Sequence, residues 1–397
     1  MRQLLFSIFM MLILSSHCRA DDSEVFADGA TLTPLKNTKV ELKKEILTLK
    51  YDGKRVLVDV YFEFNNTDKD HTETVGFVTP PSLFGVGSSG DDAIIKPPDI
   101  RNFTVVMNSD TLTYTLASFG KSGFRLPKKM AKDIQAWDYL YYFKAHFKNG
   151  LNIIHHTYSI GTISNEAFPL LIRYRLTTGK NWANSEMEDF TLNIGMGDDA
   201  YFYLPSTFWK DSHTIDWKLS ATGRIFPPQT IVTYMNDTIP NTQLVKTQSG
   251  IVSFHATHFK PEYDLEFGKH YYETLAPYWG INTTSDSLAA NIPLFDFAYY
   301  YFSGDRPTDS ESVAYLRQAT QKAIADFSDS ALSLMKNGLF ALHDCQFKNQ
   351  SIASQYKPYP WYMPVDGRTP NVSLLSDSER KLLALIVGEE KRRAKQK

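Results

Sequence analysis

The sequence predicts an α+β protein of more than one domain: a mainly antiparallel β-sandwich region, with room for two sandwiches in tandem, followed by a small all-α C-terminal domain. Three observations carry this reading. Short runs of strand character recur from about Val40 to Phe267, separated by Asn, Asp, Gly and Pro, and many short strands at such spacing make sandwiches. Aromatic residues reach 14%, with 22 Tyr and 26 Phe, and rings pack well on pleated faces. Beyond Pro277 the apolar period becomes helical.

In chain order, Val56, Val58, Val60, Phe62 and Phe64 share one face while Leu57, Asp59, Tyr61 and Glu63 share the other, the pattern of a half-buried strand. Asn65-Asn66-Thr67-Asp68 is a turn cluster. Thr72–Val78 resumes the strand pattern until Thr79-Pro80-Pro81 stops it, and the two runs read as an antiparallel hairpin. Phe84–Pro98, rich in Gly, Ser and Pro, reads as a surface loop, and Phe103–Leu116 as strand. Over Pro127–Phe147, Met130, Ile134, Trp137, Leu140 and Tyr141 recur at helical spacing, which predicts a helical insertion. Leu151–Gly161, Leu170–Leu176 and Phe190–Ile194 return to strand. Thr214–Leu219, Thr230–Met235, Gly250–His255 and Asp264–Phe267 follow as a second set.

The C-terminal part has two capping boxes, Thr308-Asp309-Ser310-Glu311 and Ser376-Asp377-Ser378-Glu379. In each, a hydroxyl and a glutamate satisfy each other's backbone donors at a helix start. Between them lies a helix carrying Leu332, Met335, Leu339, Phe340 and His343, and the last helix turns Leu382, Leu383, Leu385 and Ile386 inward. The resulting division is a signal peptide at 1–20, a β-rich domain at 21–205 with its insertion near 127–147, and a second β-rich region at 206–275. A linker at 276–308, a helical domain at 309–390 and a basic tail at 391–397 complete it.

The chain starts with Met1-Arg2, an apolar run from Leu4 to Leu14, and Cys18-Arg19-Ala20. This is the pattern of a cleaved secretory signal, with cleavage expected after Ala20. The alternative is lipid anchoring through Cys18, although His17 stands where that signal wants a small residue. Cleavage leaves Cys345 as the single cysteine, so no intramolecular disulfide is expected. Net charge is −2 and charged residues are 22%, which lacks the basic excess of a nucleic-acid binder. No later run is apolar and long enough to predict stable membrane insertion.

Two resemblances add to this. Phe340-Ala341-Leu342-His343-Asp344, the Tyr359-Pro360-Trp361-Tyr362 loop and the capped last helix resemble the YARHG domain, a small extracytoplasmic bacterial module, over about 326–388. The motif's Arg is Leu342 here, which removes a fork of donors able to grip an anion. Its Gly is Asp344, a residue that tolerates left-handed geometry better than most. Glu41–Pro80, then His156-Thr157-Tyr158 with Gly161, Tyr174–Trp182, and Phe259-Lys260-Pro261 with Asp264-Leu265 are similar to the DUF4424 family of bacterial domains of unknown function, over about 29–272.

No catalytic motif is present: there is no Gly-x-Ser-x-Gly elbow, phosphate loop or His-Glu-x-x-His run. No cofactor is expected. His255 and His258 with Glu262 and His270 could be drawn as a metal site. Their strand context puts spacing three on opposite faces, so no metal is expected. His155-His156 should place one ring in and one out. Asp91-Asp92 and Asp198-Asp199 read as turns beside Gly, and Cys345 as a packing residue. The candidate binding residues are Phe340, His343, Trp361 and Tyr362. A structural role for His343, joining its helix to the Trp361-Tyr362 loop, competes with ligand binding.

The expected function is that of a secreted or periplasmic, non-catalytic envelope protein. It would recognise a cell-wall polymer, glycan or protein partner through loops and exposed aromatics. A hydrolase with loop-borne residues and a purely structural envelope component are the alternatives.

Overall fold

The computed structural model describes residues 29–84, 94–125, 134–162, 170–198, 200–220, 222–232, 238–269, 321–322, 324–357 and 362–396. The chain is mainly β with helices near its C-terminus. It forms two compact units, Met1–Thr191 with His255–Leu265, and Leu192–Phe254 with Glu266–Lys397. No helix among the described residues is long and apolar enough to cross a membrane.

The first unit is built on long strands. Arg55–Asn66 buries every second side chain from Val56 to Asn66, as its alternation predicts. It pairs antiparallel with Val40–Tyr51 on one side and Gly150–Gly161 on the other; Ile100–Met107 continues this sheet beyond Gly150–Gly161. A second antiparallel sheet runs Tyr114–Ser118, Tyr139–Phe147, His71–Thr79 and Thr33–Pro34. Rings from the two sheets meet, with Phe77 against Phe103 and Tyr158, so an aromatic core lies between them. The 255–265 segment joins this unit through stacked Phe190 and Phe259.

The predicted hairpin does not form. His71–Thr79 belongs to the other sheet from Arg55–Asn66 and pairs with Tyr139–Phe147. The connection is a corner built on Asn66. Its amide donates to Lys69 O and Phe147 O, and its side-chain oxygen accepts from Asp68 N. The predicted helical insertion is also corrected: Tyr139–Phe147 is strand, and residues 126–133, with Met130, lie outside the described residues. Tyr141 and Phe143 face the aromatic core, while Leu140 packs with Leu35 and Val78 and is flanked by Phe124, Ile134 and Tyr142. A strand covered on both faces loses its alternation.

The second unit has Ala200–Pro205, Gly223–Ile225 and Gln229–Val232 all antiparallel to the long strand Thr238–Thr247. It also has helices Asp329–Leu342, Gln350–Tyr356 and Asp377–Ala394. The helices enclose a core of Leu332, Leu339, Ala341, Cys345, Tyr356, Leu382 and Ile386, onto which Tyr201 packs. These helices lie in one compact unit with strands, and Tyr201 carries the contact; the expected start of a helical domain at 309 lies outside the described residues. The Ser376–Glu379 capping box is formed in full. Thr308–Glu311 lies outside the described residues, as does the signal-like segment at 1–20.

Candidate functional site

Three places in the molecule hold polar or aromatic groups in arrangements that packing alone does not require. The first is the open edge of the sandwich in the first unit. Phe77 stacks on Tyr141 at 5.2 Å between centroids and on Tyr158 at 5.6 Å. Phe103 follows, and Tyr114 meets Phe103 edge-on at 4.8 Å. This series of rings runs from the core to the surface, because Tyr114 is 43% exposed. Two residues along the same edge strand, Leu116 is 38% exposed, and Trp137, just before the neighbouring strand, is 54% exposed. Behind the rings lies His156, fully buried against Phe62, Phe103 and Tyr158. Neither of its ring nitrogens has a hydrogen-bond partner among the described residues. Burial holds its pKa down to about 3, so the ring is neutral. Its neighbour His155 points outward to Asp59 at 3.0 Å, the in-and-out placement that adjacent strand positions predict.

The second place is Glu45. Val40 and Leu42 point inward, and so do Leu47 and Leu49, although an unbroken alternation cannot satisfy both pairs. A β-bulge between Leu42 and Lys44 resolves the conflict. It sends Lys43 and Lys44 outward to Glu188 and Asp189 and turns Glu45 into the core. Bulges often re-aim a side chain in this way. Thr31 Oγ1 donates to Glu45 Oε1 at 2.9 Å. Burial pushes the Glu45 pKa up to about 8, against the Thr31 hydrogen bond. Sequence reasoning missed Glu45. The signal was the change of apolar phase between Leu42 and Leu47, which leaves a glutamate at an inward position.

The third place holds the residues singled out from the sequence. Phe340 is buried in the helical core. His343 Nε2 lies 3.0 and 3.1 Å from the two carboxylate oxygens of Glu379, linking its helix to the last one rather than to the aromatic loop. The Tyr362 hydroxyl donates to Cys345 O at 2.7 Å. Trp361 lies outside the described residues. The structure thus brings Phe340 and Tyr362 into the interior, with His343 at its edge. Cys345 is buried too, and burial pushes its thiol up to about 11, which keeps it protonated.

Asp344 has φ of 53°, in the left-handed region that Asp tolerates better than most residues. Its carboxylate meets Lys246 Nζ at 3.0 Å and accepts from Met363 N at 3.0 Å. Lys246 also donates to Leu342 O, and Gln248 to Met363 O. His255 and His258 bond Asp189 and Glu186 separately. His258 has a positive φ of 53° within the continuous strand Ile251–Phe259. Among the described residues no cluster of three or more His, Cys, Asp or Glu has the arrangement of a metal site.

The fold and these places define a β-rich α+β protein with an aromatic-rimmed sandwich and a strand-braced helical region. No family model matches the chain, and no curated protein matches it in sequence. A crystal structure of a proposed nutrient binding protein from Legionella pneumophila shares its fold. The TM-score is 0.53 at 17% identity, over 93% of this chain and 100% of that one. An M1 zinc metallopeptidase from Deinococcus radiodurans reaches a TM-score of only 0.22 at 9% identity, over 58% of this chain and 42% of that one, which is below the level of a shared fold.

Proposed function

We propose that the protein is an extracytoplasmic, non-catalytic binding protein of the bacterial envelope, and that it recognises an extended polymer through the aromatic rim of its first unit. The observation that carries this reading is the line of exposed Tyr114, Leu116 and Trp137 along one sheet edge. Tyr114 pairs in register with Phe143 and Ser118 with Tyr139, four steps of strand or roughly 13 Å at the usual rise, and Trp137 lies two residues beyond that end, in a turn. That spacing suits successive units of a glycan or an extended peptide better than one small molecule. Ring faces bind both kinds of chain by stacking. Tyr114 is backed by Phe103 and Tyr141, so little ordering entropy opposes its use as a platform.

The nutrient-binding description of the Legionella pneumophila protein supports a binding role. The signal pattern at the N-terminus and the resemblance of the two regions to DUF4424 and YARHG support an envelope location. Calorimetric titration with soluble peptidoglycan fragments and chitin oligosaccharides tests the proposal. Tyr114→Ala and Trp137→Ala should each weaken binding at least about tenfold, the effect of roughly 1.4 kcal/mol, with thermal stability nearly unchanged. Binding by the double variant at full strength refutes the rim. Location is tested by N-terminal sequencing of the envelope-derived protein, which should begin at Asp21; a lipid-modified start at Cys18 means an anchored form instead.

A further inference from the structure

The segment Gly29–Leu35 is buried at every position. Gly29–Ala30 runs parallel to Tyr174–Arg175, and Thr33–Pro34 runs antiparallel to Val75–Gly76, so the segment bridges two strands that do not pair with each other. Thr31 N donates to Arg175 O, Leu35 N to Thr74 O, Trp182 Nε1 to Leu32 O and Thr178 Oγ1 to Thr31 O. At its centre, the Thr31 side chain holds Glu45.

Among the described residues, Glu45 has no counter-charge. The groups that face it among the described residues are the Thr31 hydroxyl and the hydroxyl of Tyr174, which also adjoins Thr31. Tyr158 lies beyond Tyr174, with its hydroxyl against Gly29. Phe62 is the cross-strand neighbour. The lysines on its own strand, Lys43 and Lys44, are engaged outside by Glu188 and Asp189. The second carboxyl oxygen, Oε2, has no partner among the described residues. A neutral carboxyl is tolerated in such a place, whereas an unpaired buried carboxylate is strongly disfavoured.

We propose that Glu45 is a proton-dependent lock on the Gly29–Leu35 segment: the inserted segment shuts Glu45 away from water, which a neutral carboxyl tolerates, and ionisation, which calls for hydration of the unpartnered Oε2, releases the segment. The segment yields rather than the sheet because its pairings are two residues long, while Glu45 itself sits in a strand of twelve. Short pairings open at lower free energy than long ones. The sign follows from linkage. The inserted state binds the proton more tightly than the released state, in which Glu45 is hydrated, so insertion is fully supported at low pH. Its support falls as pH rises from the usual glutamate value, about 4.3, through the folded value of about 8.

Hydrogen exchange of the full chain, at about pH 6 and about pH 9.5 and corrected for intrinsic rates, tests the lock. Peptides covering 29–35 should lose protection at least about tenfold more than peptides covering 56–64 at the higher pH. Glu45→Gln should keep the segment protected at both pH values. Should that variant not fold, Glu45→Met, of similar length and without a polar atom at its end, carries the same expectation. Undiminished protection of the wild-type segment at high pH overturns the proposal. So does equal loss in both regions, which is global unfolding, or a variant that loses protection as the wild type does.

Discussion

Lys246 and Asp344 form an ion pair of 3.0 Å in which the side chains are 4% and 0% exposed. A strand residue and the residue ending a helical motif thus meet where neither charge reaches water. The pair is joined by further bonds, from Lys246 to Leu342 O and from Met363 N to the Asp344 carboxylate. Breaking such a pair costs more than the pair contributes, because the remaining charge is stranded. Asp344→Asn keeps the left-handed geometry and the acceptor for Met363 N but abandons Lys246. It should cost about 3–5 kcal/mol, and Lys246→Met should cost a similar amount. The double variant should lose clearly less than the sum. Denaturant unfolding in a double-mutant cycle measures this, and additive losses argue against coupling.

The helical region should also respond to acid. Burial alone would raise the Glu379 pKa, but the bond with His343 and the one from Ser376 N hold it below the usual carboxylate value. A depressed folded pKa contributes stability that is present above the unfolded value and lost as pH falls through the folded one. Helical circular dichroism should therefore become less heat-resistant below about pH 4. Glu379→Gln should flatten that dependence and, by weakening the capping box, cost about 0.5–2 kcal/mol at neutral pH. An unchanged acid limb in the variant places the titrating group elsewhere.

Gly76 offers a sharper test of packing in the first unit. It sits in register with Thr33 on one side and Tyr142 on the other. A Cβ there would lie 2.1 Å from the carbonyl oxygen of Tyr141. The obstacle is backbone, so no side-chain rotation relieves it. Gly76→Ala should destabilise the unit by about 1–3 kcal/mol, read as a lowered thermal midpoint. Gly53 is the control. Its added Cβ meets nothing within 4 Å, although its φ of 97° carries a local backbone cost.

What could be read from the sequence was local. The inward face of Val56–Phe64 follows from period two, the last helix start from its capping box, and the in-and-out histidines from adjacency. Pairing over long separations was not legible. Nothing near His71–Thr79 says that its partner is Tyr139–Phe147, and the Asn66 corner resembles an ordinary turn until Phe147 O is placed beside it. Leu140 and Tyr141 imitated a helix because both faces of their strand are covered. Of the site, the aromatic excess was visible, but not which rings reach the surface. The Lys246–Asp344 pair was invisible, since neither residue is unusual until the other is near.

The bulge at Lys43 makes a final, discriminating prediction. Deleting one residue from a strand ordinarily swaps the faces of everything to one side of it. Here Leu42 pairs with Phe64 and Lys44 with Glu63, so Lys43 is the extra residue. Removing it leaves Val40, Leu42, Glu45 and Leu47 in one continuous alternation, all still inward. Asn184, which accepts from Leu42 N and donates to Leu42 O, keeps its partner. The identifiable losses are partly exposed ion pairs with Glu188 and Glu41, about 0–1 kcal/mol each, and some local twist. Deleting Thr48 in the same strand instead turns either Val40–Leu47 or Leu49–Tyr51 inside out. The Lys43 deletion should therefore fold with a thermal midpoint within a few degrees of wild type, about what 1 kcal/mol produces in a domain of this size. The Thr48 deletion should fail to fold. Equal damage from the two deletions means that the bulge is held by the fold for its shape, and that Glu45 depends on that shape for its place in the core.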